Sequence, residues 1–186
     1  MAMTHPLLHA GPAVGFDEPF EMLEACHERV QRSLALLAKL VAHVEAHGHD
    51  DKSRSAASDV LRYFELAAPH HHEDEERHVF PRLLASGEAA AVLAVQRLRD
   101  EHARMGELWA RLRLVLQAWS EASAAGAVPD DFRADAQAFA ALYAGHIPVE
   151  EELVFPSARA GLGPDALRAM GEEMRGRRGA AATTPR

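Results

Sequence analysis

Two stretches of this 186-residue chain carry imidazoles and carboxylates at a spacing that can hold a metal ion. The first is Pro69-His70-His71-His72-Glu73-Asp74-Glu75-Glu76-Arg77-His78-Val79-Phe80-Pro81, three histidines running into four acids. The second is sparser: His146-Ile147-Pro148-Val149-Glu150-Glu151-Glu152-Leu153-Val154-Phe155-Pro156. In each, a histidine is followed four residues later by Glu-Glu and nine residues later by Phe-Pro. Residues i and i+4 share one face of a helix, so His71 with Glu75, and His146 with Glu150, can point at one centre.

The two stretches are copies within an internal repeat. An offset of 75 residues takes His71 to His146 and Glu75 to Glu150, and the same offset takes His27 to His102. It also takes Leu23 to Leu98, Arg29 to Arg104, Phe64 to Phe139, Phe80 to Phe155 and Pro81 to Pro156. Each half thus holds one lone histidine and then His-x-x-x-Glu. Taken singly, His27 or His102 on an apolar stripe reads as a hydrogen-bonded core histidine, and the acid run as a solvated face. Six ligand-type residues under one gapless offset favour a metal site instead. Buried imidazoles and carboxylates without partners are costly, and a cation compensates them. Nitrogen and oxygen donors without thiolates suit iron, manganese or zinc. Two carboxylates able to bridge, with two imidazoles at each end, favour a dinuclear centre.

The elements that must position these residues are helices. Asp17-Glu18-Pro19 is a helix start, with Asp as cap and Pro in the first turn. Phe20, Leu23, His27, Val30, Leu34, Leu37, Val41 and Val44 then follow at three- and four-residue spacing to about Gly48. Asp50 to Ser53 reads as a turn. A second helix runs through Ala57, Leu61 and Phe64 into the histidine cluster and on to about Leu84, with a kink or restart at Pro69. A third spans about Glu88 to Ala124, carrying His102 on its apolar stripe. A fourth, capped by Asp130 or Asp131, runs through His146 to about Arg159. Four long helices with short loops predict an all-α, up-down-up-down four-helix bundle of two pseudo-symmetric hairpins. A short C-terminal helix (Pro164 to about Met174) and a fraying tail from Arg175 complete it. The expected organisation is an arm over 1–16, with His5 and His9 solvated, the bundle over 17–160, and the short helix and tail over 161–186.

Composition narrows the function. The formal charge of −8 argues against nucleic acid, whose phosphates need a basic patch. A single cysteine, Cys26, cannot form an internal disulfide. It reads as a small buried hydrophobe, and Trp109 and Trp119 read as packing. Without an 18-residue apolar run or a signal-type segment, the chain reads as soluble and cytoplasmic, with no membrane partner. His70, His78 and the acids around Glu75 read as surface groups. Tyr63 and Tyr143 read as core edge or pocket lining.

These residues resemble the hemerythrin-like, or HHE cation-binding, domain family. The family pattern is His, then His-x-x-x-Glu, then His, then His-x-x-x-Glu or His-x-x-x-x-Asp on four successive helices; it falls on His27, on His71 and Glu75, on His102, and on His146 and Glu150. The resemblance covers about Asp17 to Arg159. It implies two iron ions in a non-haem, carboxylate-bridged centre: Glu75 and Glu150 bridge, His27 and His71 hold one iron, and His102 and His146 hold the other. Oxygen-carrying members have a further third-helix histidine four residues after the first, where this chain has Gly106. His72 is the candidate replacement, against a supporting or solvated role. Ferritin-like bundles need Glu-x-x-His on two helices. Glu24/His27 and Glu75/His78 fit that spacing, but Arg99/His102 and Glu150/Leu153 do not. The expected function is binding of, or reaction with, oxygen, peroxide or nitric oxide. An iron-sensing module with metal-dependent folding and a catalase-like peroxide scavenger are the alternatives. The protein partner is unknown.

Overall fold

The computed structural model describes residues 14–121 and 128–179. His5, His9, most of the expected arm, the end of the third helix near Ala124 and residues 180–186 lie outside the described residues. The elements are α1 (Pro19–His47), α2 (Asp51–Asp74), α3 (Phe80–Ser86), α4 (Ala89–Glu121), α5 (Asp130–Val149), α6 (Phe155–Ala160) and α7 (Pro164–Arg177). Five-residue π-helical turns, Glu75–Val79 and Glu150–Val154, join α2 to α3 and α5 to α6, making one long rod of each pair. Around the bundle α1 packs on α2, α2 on α4, α4 on α5, and α5 back on α1. No strand occurs among the described residues. The architecture is the expected all-α bundle.

Several local expectations are corrected. Asp17 does not cap α1; Glu18 occupies that position without a side-chain bond, and Asp17 pairs with Arg175 at 3.0 Å. Asp50 to Ser53 is no loose turn, because Asp50 caps α2. Its carboxylate accepts the Ser53 N–H at 2.9 Å, and its own N–H donates to the Ser53 hydroxyl at 2.8 Å. The start of α5 is capped by neither Asp130 nor Asp131; Pro129 stands at that position. α2 runs through Pro69, and the irregularity comes later, at Glu75. There the Phe80 N–H reaches back five residues to the Glu75 carbonyl, as the Phe155 N–H does to Glu150. Pro81 and Pro156 account for both wide turns: each lacks an N–H, and its ring crowds the carbonyl four residues back.

Two apolar clusters fill the bundle. One contains Val30, Leu37, Phe64, Met105, Leu112, Phe139 and Ile147, with Trp119 buried in it and Trp109 packed against it. The other contains Phe20, Leu23, Cys26, Val79, Phe80, Val95, Leu98, Val154 and Phe155. Between them, in chain order on all four rods, lie the buried polar residues His27, His71, Glu75, His102, His146 and Glu150. α7 closes the second cluster with Met170 and Met174. It can approach because residue 171 is glycine: a Cβ there would sit 1.7 Å from the Phe16 carbonyl oxygen. The expected fraying at Arg175 is overturned, since α7 continues to Arg177, and Arg177 and Arg178 both pair with buried Asp74.

Candidate metal centre

One ligand atom each from His27, His71, Glu75 and Glu150 lies within 4.8 Å of the others. The same holds for Glu75, His102, His146 and Glu150, so the two sets share both carboxylates. A third set joins His72 to His102 and His146. All seven residues singled out in the sequence are therefore brought together.

The geometry repeats between halves. His71 Nε2 is 3.1 Å from Glu75, and His146 Nε2 is 2.9 Å from Glu150. Across the halves, His27 Nε2 is 3.1 Å from Glu150, and His102 Nε2 is 3.4 Å from Glu75. Ring centroids of His27 and His71 are 4.8 Å apart, as are those of His102 and His146. The i, i+4 spacing supplies each His-Glu pair from one helix, and antiparallel packing supplies the lone histidines.

Outer carboxylates aim the rings. Glu151 holds His27 Nδ1 at 2.8 Å, and Glu76 holds His102 Nδ1 at 2.9 Å. Phe155 stacks on His27 and Phe80 on His102. Each half thus orients the other half's lone histidine, leaving Nε2 to face the carboxylates. Glu101 holds His146 Nδ1 at 2.9 Å, whereas His71 Nδ1 is buried with no hydrogen-bond partner among the described residues. The expectation that the acids beside Glu75 are solvated is overturned for Asp74 alone; Glu76 is exposed as expected, yet one of its oxygens reaches a ring. Glu76 supports His102, and Asp74 is fully buried under Arg177 and Arg178. The signal for the first was present: Glu76 and Glu151 match under the 75-residue offset. Glu101 and Asp74 have no such match, being opposite Cys26 and Val149. His78 and His70 are both partly buried; His78 pairs with Glu173, and His70 Nδ1 lies 3.8 Å from Glu73.

His72 stacks on His102 with ring centroids 3.9 Å apart, and its Nε2 is buried without a hydrogen-bond partner. Beside it is a cavity of about 200 Å³ walled by His72, His102, Met105, Gly106, Trp109 and Tyr143. A Cβ added to Gly106 would meet nothing within 4 Å, so the missing histidine leaves open space. Tyr143 both lines this cavity and is buried. Tyr63 instead donates from its hydroxyl to the Cys26 carbonyl, 3.2 Å away.

A cation fits this donor set. Both oxygens of Glu75 and of Glu150, and His27 Nε2, are buried and meet no hydrogen-bond geometry among the described residues. Each such orphan costs about 1–3 kcal/mol, which a positive ion at their centre would offset. The proton affinities agree. Burial, and then the neighbouring Glu150 charge, push Glu75 well above the ordinary carboxylate range. Burial also works against ionised Glu150, but His146 and His27 outweigh it and hold that group low. Burial, reinforced by His27, drives His71 well down; burial, reinforced by His102, does the same for His72. His102 falls to about 3 through burial and the His146 charge. Burial also opposes charge on His146, yet Glu150 and Glu101 outweigh it and raise that ring. Neutral His71, His72 and His102 have a lone pair to offer a metal.

Among the described residues no helix is long and apolar enough to cross a membrane. An uncharacterized protein of Haemophilus influenzae is similar to this chain, 33% identical over 163 residues that cover 88% of this chain and 91% of the relative. The model of the hemerythrin HHE cation binding domain matches residues 18–158, which span all four rods and every residue of the His/Glu layer. With the fold, the buried donors and both comparisons in agreement, this chain belongs to the hemerythrin HHE cation-binding domain family.

Proposed function

We propose that this protein holds a pair of non-haem iron ions in the His/Glu layer and reacts with a small oxidant such as oxygen, peroxide or nitric oxide. The observation that carries this reading is the interlocking of two four-residue sets through Glu75 and Glu150. In it, Glu75 and Glu150 would be shared between the ions, His27 and His71 would hold one, and His102 and His146 would hold the other. His72 would join the second set, beside the position where this chain has Gly106. Zinc or manganese would suit the same donors, and iron is the reading that the family match favours. Iron held there in the ferrous state would supply the electrons for reducing the oxidant.

The chain's own residues supply the surroundings. Glu151, Glu76 and Glu101 fix the imidazole tautomers by accepting from Nδ1. Burial and the Glu150 charge hold Glu75 well above the ordinary carboxylate range, so a cation entering beside it would compete with its proton. The apolar clusters above and below exclude water from the layer. The cavity at Gly106 offers a small, weakly polar molecule room beside His72 and His102. Loading with ferrous iron without air, then admitting oxygen, tests the reading. Near-ultraviolet bands of an oxidised, carboxylate-bridged iron pair are expected, and their absence would remove the redox role.

A second reading, iron sensing through metal-dependent folding, is favoured by the orphaned buried carboxylates, which destabilise the cation-free fold. A large loss of helical circular dichroism on chelation, with no reactivity towards oxygen or peroxide, would select it over the first.

A further inference from the structure

A second chemistry-bearing site lies between α1 and α2, apart from the cavity at Gly106, which α2, α4 and α5 wall. Between α1 and α2 is a cavity of about 230 Å³ lined by Arg29, Arg32, Arg62, Tyr63, Leu36 and Leu66, among others. Three guanidinium groups face it with one carboxylate, Asp59, a surplus of two positive charges in a chain whose net charge is −8. Asp59 is already taken by Arg62 at 2.6 Å. Arg32 has only Glu28, at 3.8 Å, and its Nη2 is buried with no hydrogen-bond partner. Arg29 has no carboxylate within ion-pair distance among the described residues, although this chain has more acids than bases. The walls between these cations are apolar: Leu36, Ala67, the Tyr63 ring and Leu66, whose side chain is 64% exposed.

This pocket is not a by-product of the repeat. Under the 75-residue offset Arg32 becomes Glu107, Arg62 becomes Gln137, Tyr63 becomes Ala138 and Leu66 becomes Ala141. The first hairpin alone carries Arg32, Arg62 and the Tyr63 and Leu66 walls; only Arg29 has a counterpart, Arg104. A guanidinium with an open edge recruits an oxyanion in a forked pair, and an apolar trough beside it recruits hydrocarbon.

We propose that the α1–α2 groove is a binding site for a small amphiphilic carboxylate, its head on Arg32 and Arg29 and its apolar body along Leu36, Tyr63 and Leu66. The volume suits a body of about eight carbons. This site is independent of which metal occupies the His/Glu layer.

Octanoate is the probe, titrated calorimetrically into the full chain, with acetate, inorganic phosphate and octan-1-ol as comparators. Octanoate is expected to saturate one site with Kd below about 1 mM, and the comparators to bind at least about tenfold more weakly. Arg32→Ala and Leu66→Asp, both at partly or well exposed positions, are each expected to weaken octanoate about tenfold with circular dichroism and metal content unchanged. Amide shifts in a nitrogen-15 correlation spectrum should centre on Tyr63 and Leu66. Failure of octanoate to saturate, binding of acetate or phosphate as tight as octanoate's, or an Arg32→Ala variant that binds like the parent would overturn the proposal.

Discussion

In the second hairpin, Glu101 grips the outer nitrogen of His146 at 2.9 Å; at the matching position in the first hairpin stands Cys26, and His71 Nδ1 has no partner. His72 stands opposite Ile147, and buried Asp74 opposite Val149. The inner donors and their cross-half supports, Glu76 with Phe80 and Glu151 with Phe155, are common to both halves. What the halves share therefore builds a layer able to hold two cations. What they do not share makes the two positions unequal. The His102/His146 side has two carboxylates behind its rings and a third imidazole beside them, whereas the His27/His71 side has one carboxylate and none. Ligand basicity rises with such supports, so the His102/His146 set is expected to bind a cation the more tightly.

The comparison can be broken most severely at the shared carboxylates. Glu75→Ala and Glu150→Ala should each abolish binding of both cations, falling from two per chain to none by elemental analysis, although the two groups have opposite proton affinities. Loss of only one cation would mean that the carboxylates are not shared. Next in size is Asp74→Asn, which removes the buried charge that Arg177 and Arg178 share, while Arg177 keeps Glu73 and Glu173. Losing a charge-assisted pairing in this way costs about 1.5–3 kcal/mol, readable by denaturant unfolding; the matching Val149 has no such pairing to lose.

A smaller effect tests the equivalence of the halves. Glu76→Gln and Glu151→Gln should each lower cation affinity about 10–100-fold, the first at the His102 position and the second at His27. The smallest concerns the helix starts, where α2 is capped by Asp50 and α5 by no side chain. The Ser53 N–H lowers Asp50 from 3.8 to about 2. Because the folded value is the lower, the cap's contribution is complete above about pH 4 and fades as pH falls towards 2. Asp50→Ala should accordingly lower the melting temperature by a few degrees at neutral pH and leave it unchanged near pH 2.

Much of this layer was legible because repetition made it so. His27 alone is an ordinary core histidine; His27 with His102, at the offset that also relates Glu75 and Glu150, is a ligand set. Helix periodicity gave the four rods for the same reason, through one apolar stripe each. What escaped was what only tertiary packing decides. Glu76 sits in a run of four acids, and only its match to Glu151 sets it apart from Glu73, which falls opposite Pro148; which ring it supports depends on how α2 and α4 face each other. Asp74 is buried only because α7 folds back over it from a hundred residues away, across Gly171. The π-helical turns are hidden because Phe-Pro marks the repeat equally well whether the turn before it is α or π.

The central claim is that Glu75 and Glu150 join two cations in one centre. Mössbauer spectroscopy of protein loaded with iron-57 and oxidised tests it most directly. The account predicts two irons per chain, magnetically coupled into a diamagnetic pair, with two unequal quadrupole doublets reflecting the unequal supports of the halves. A single iron per chain, or two irons with uncoupled magnetic spectra, would contradict it.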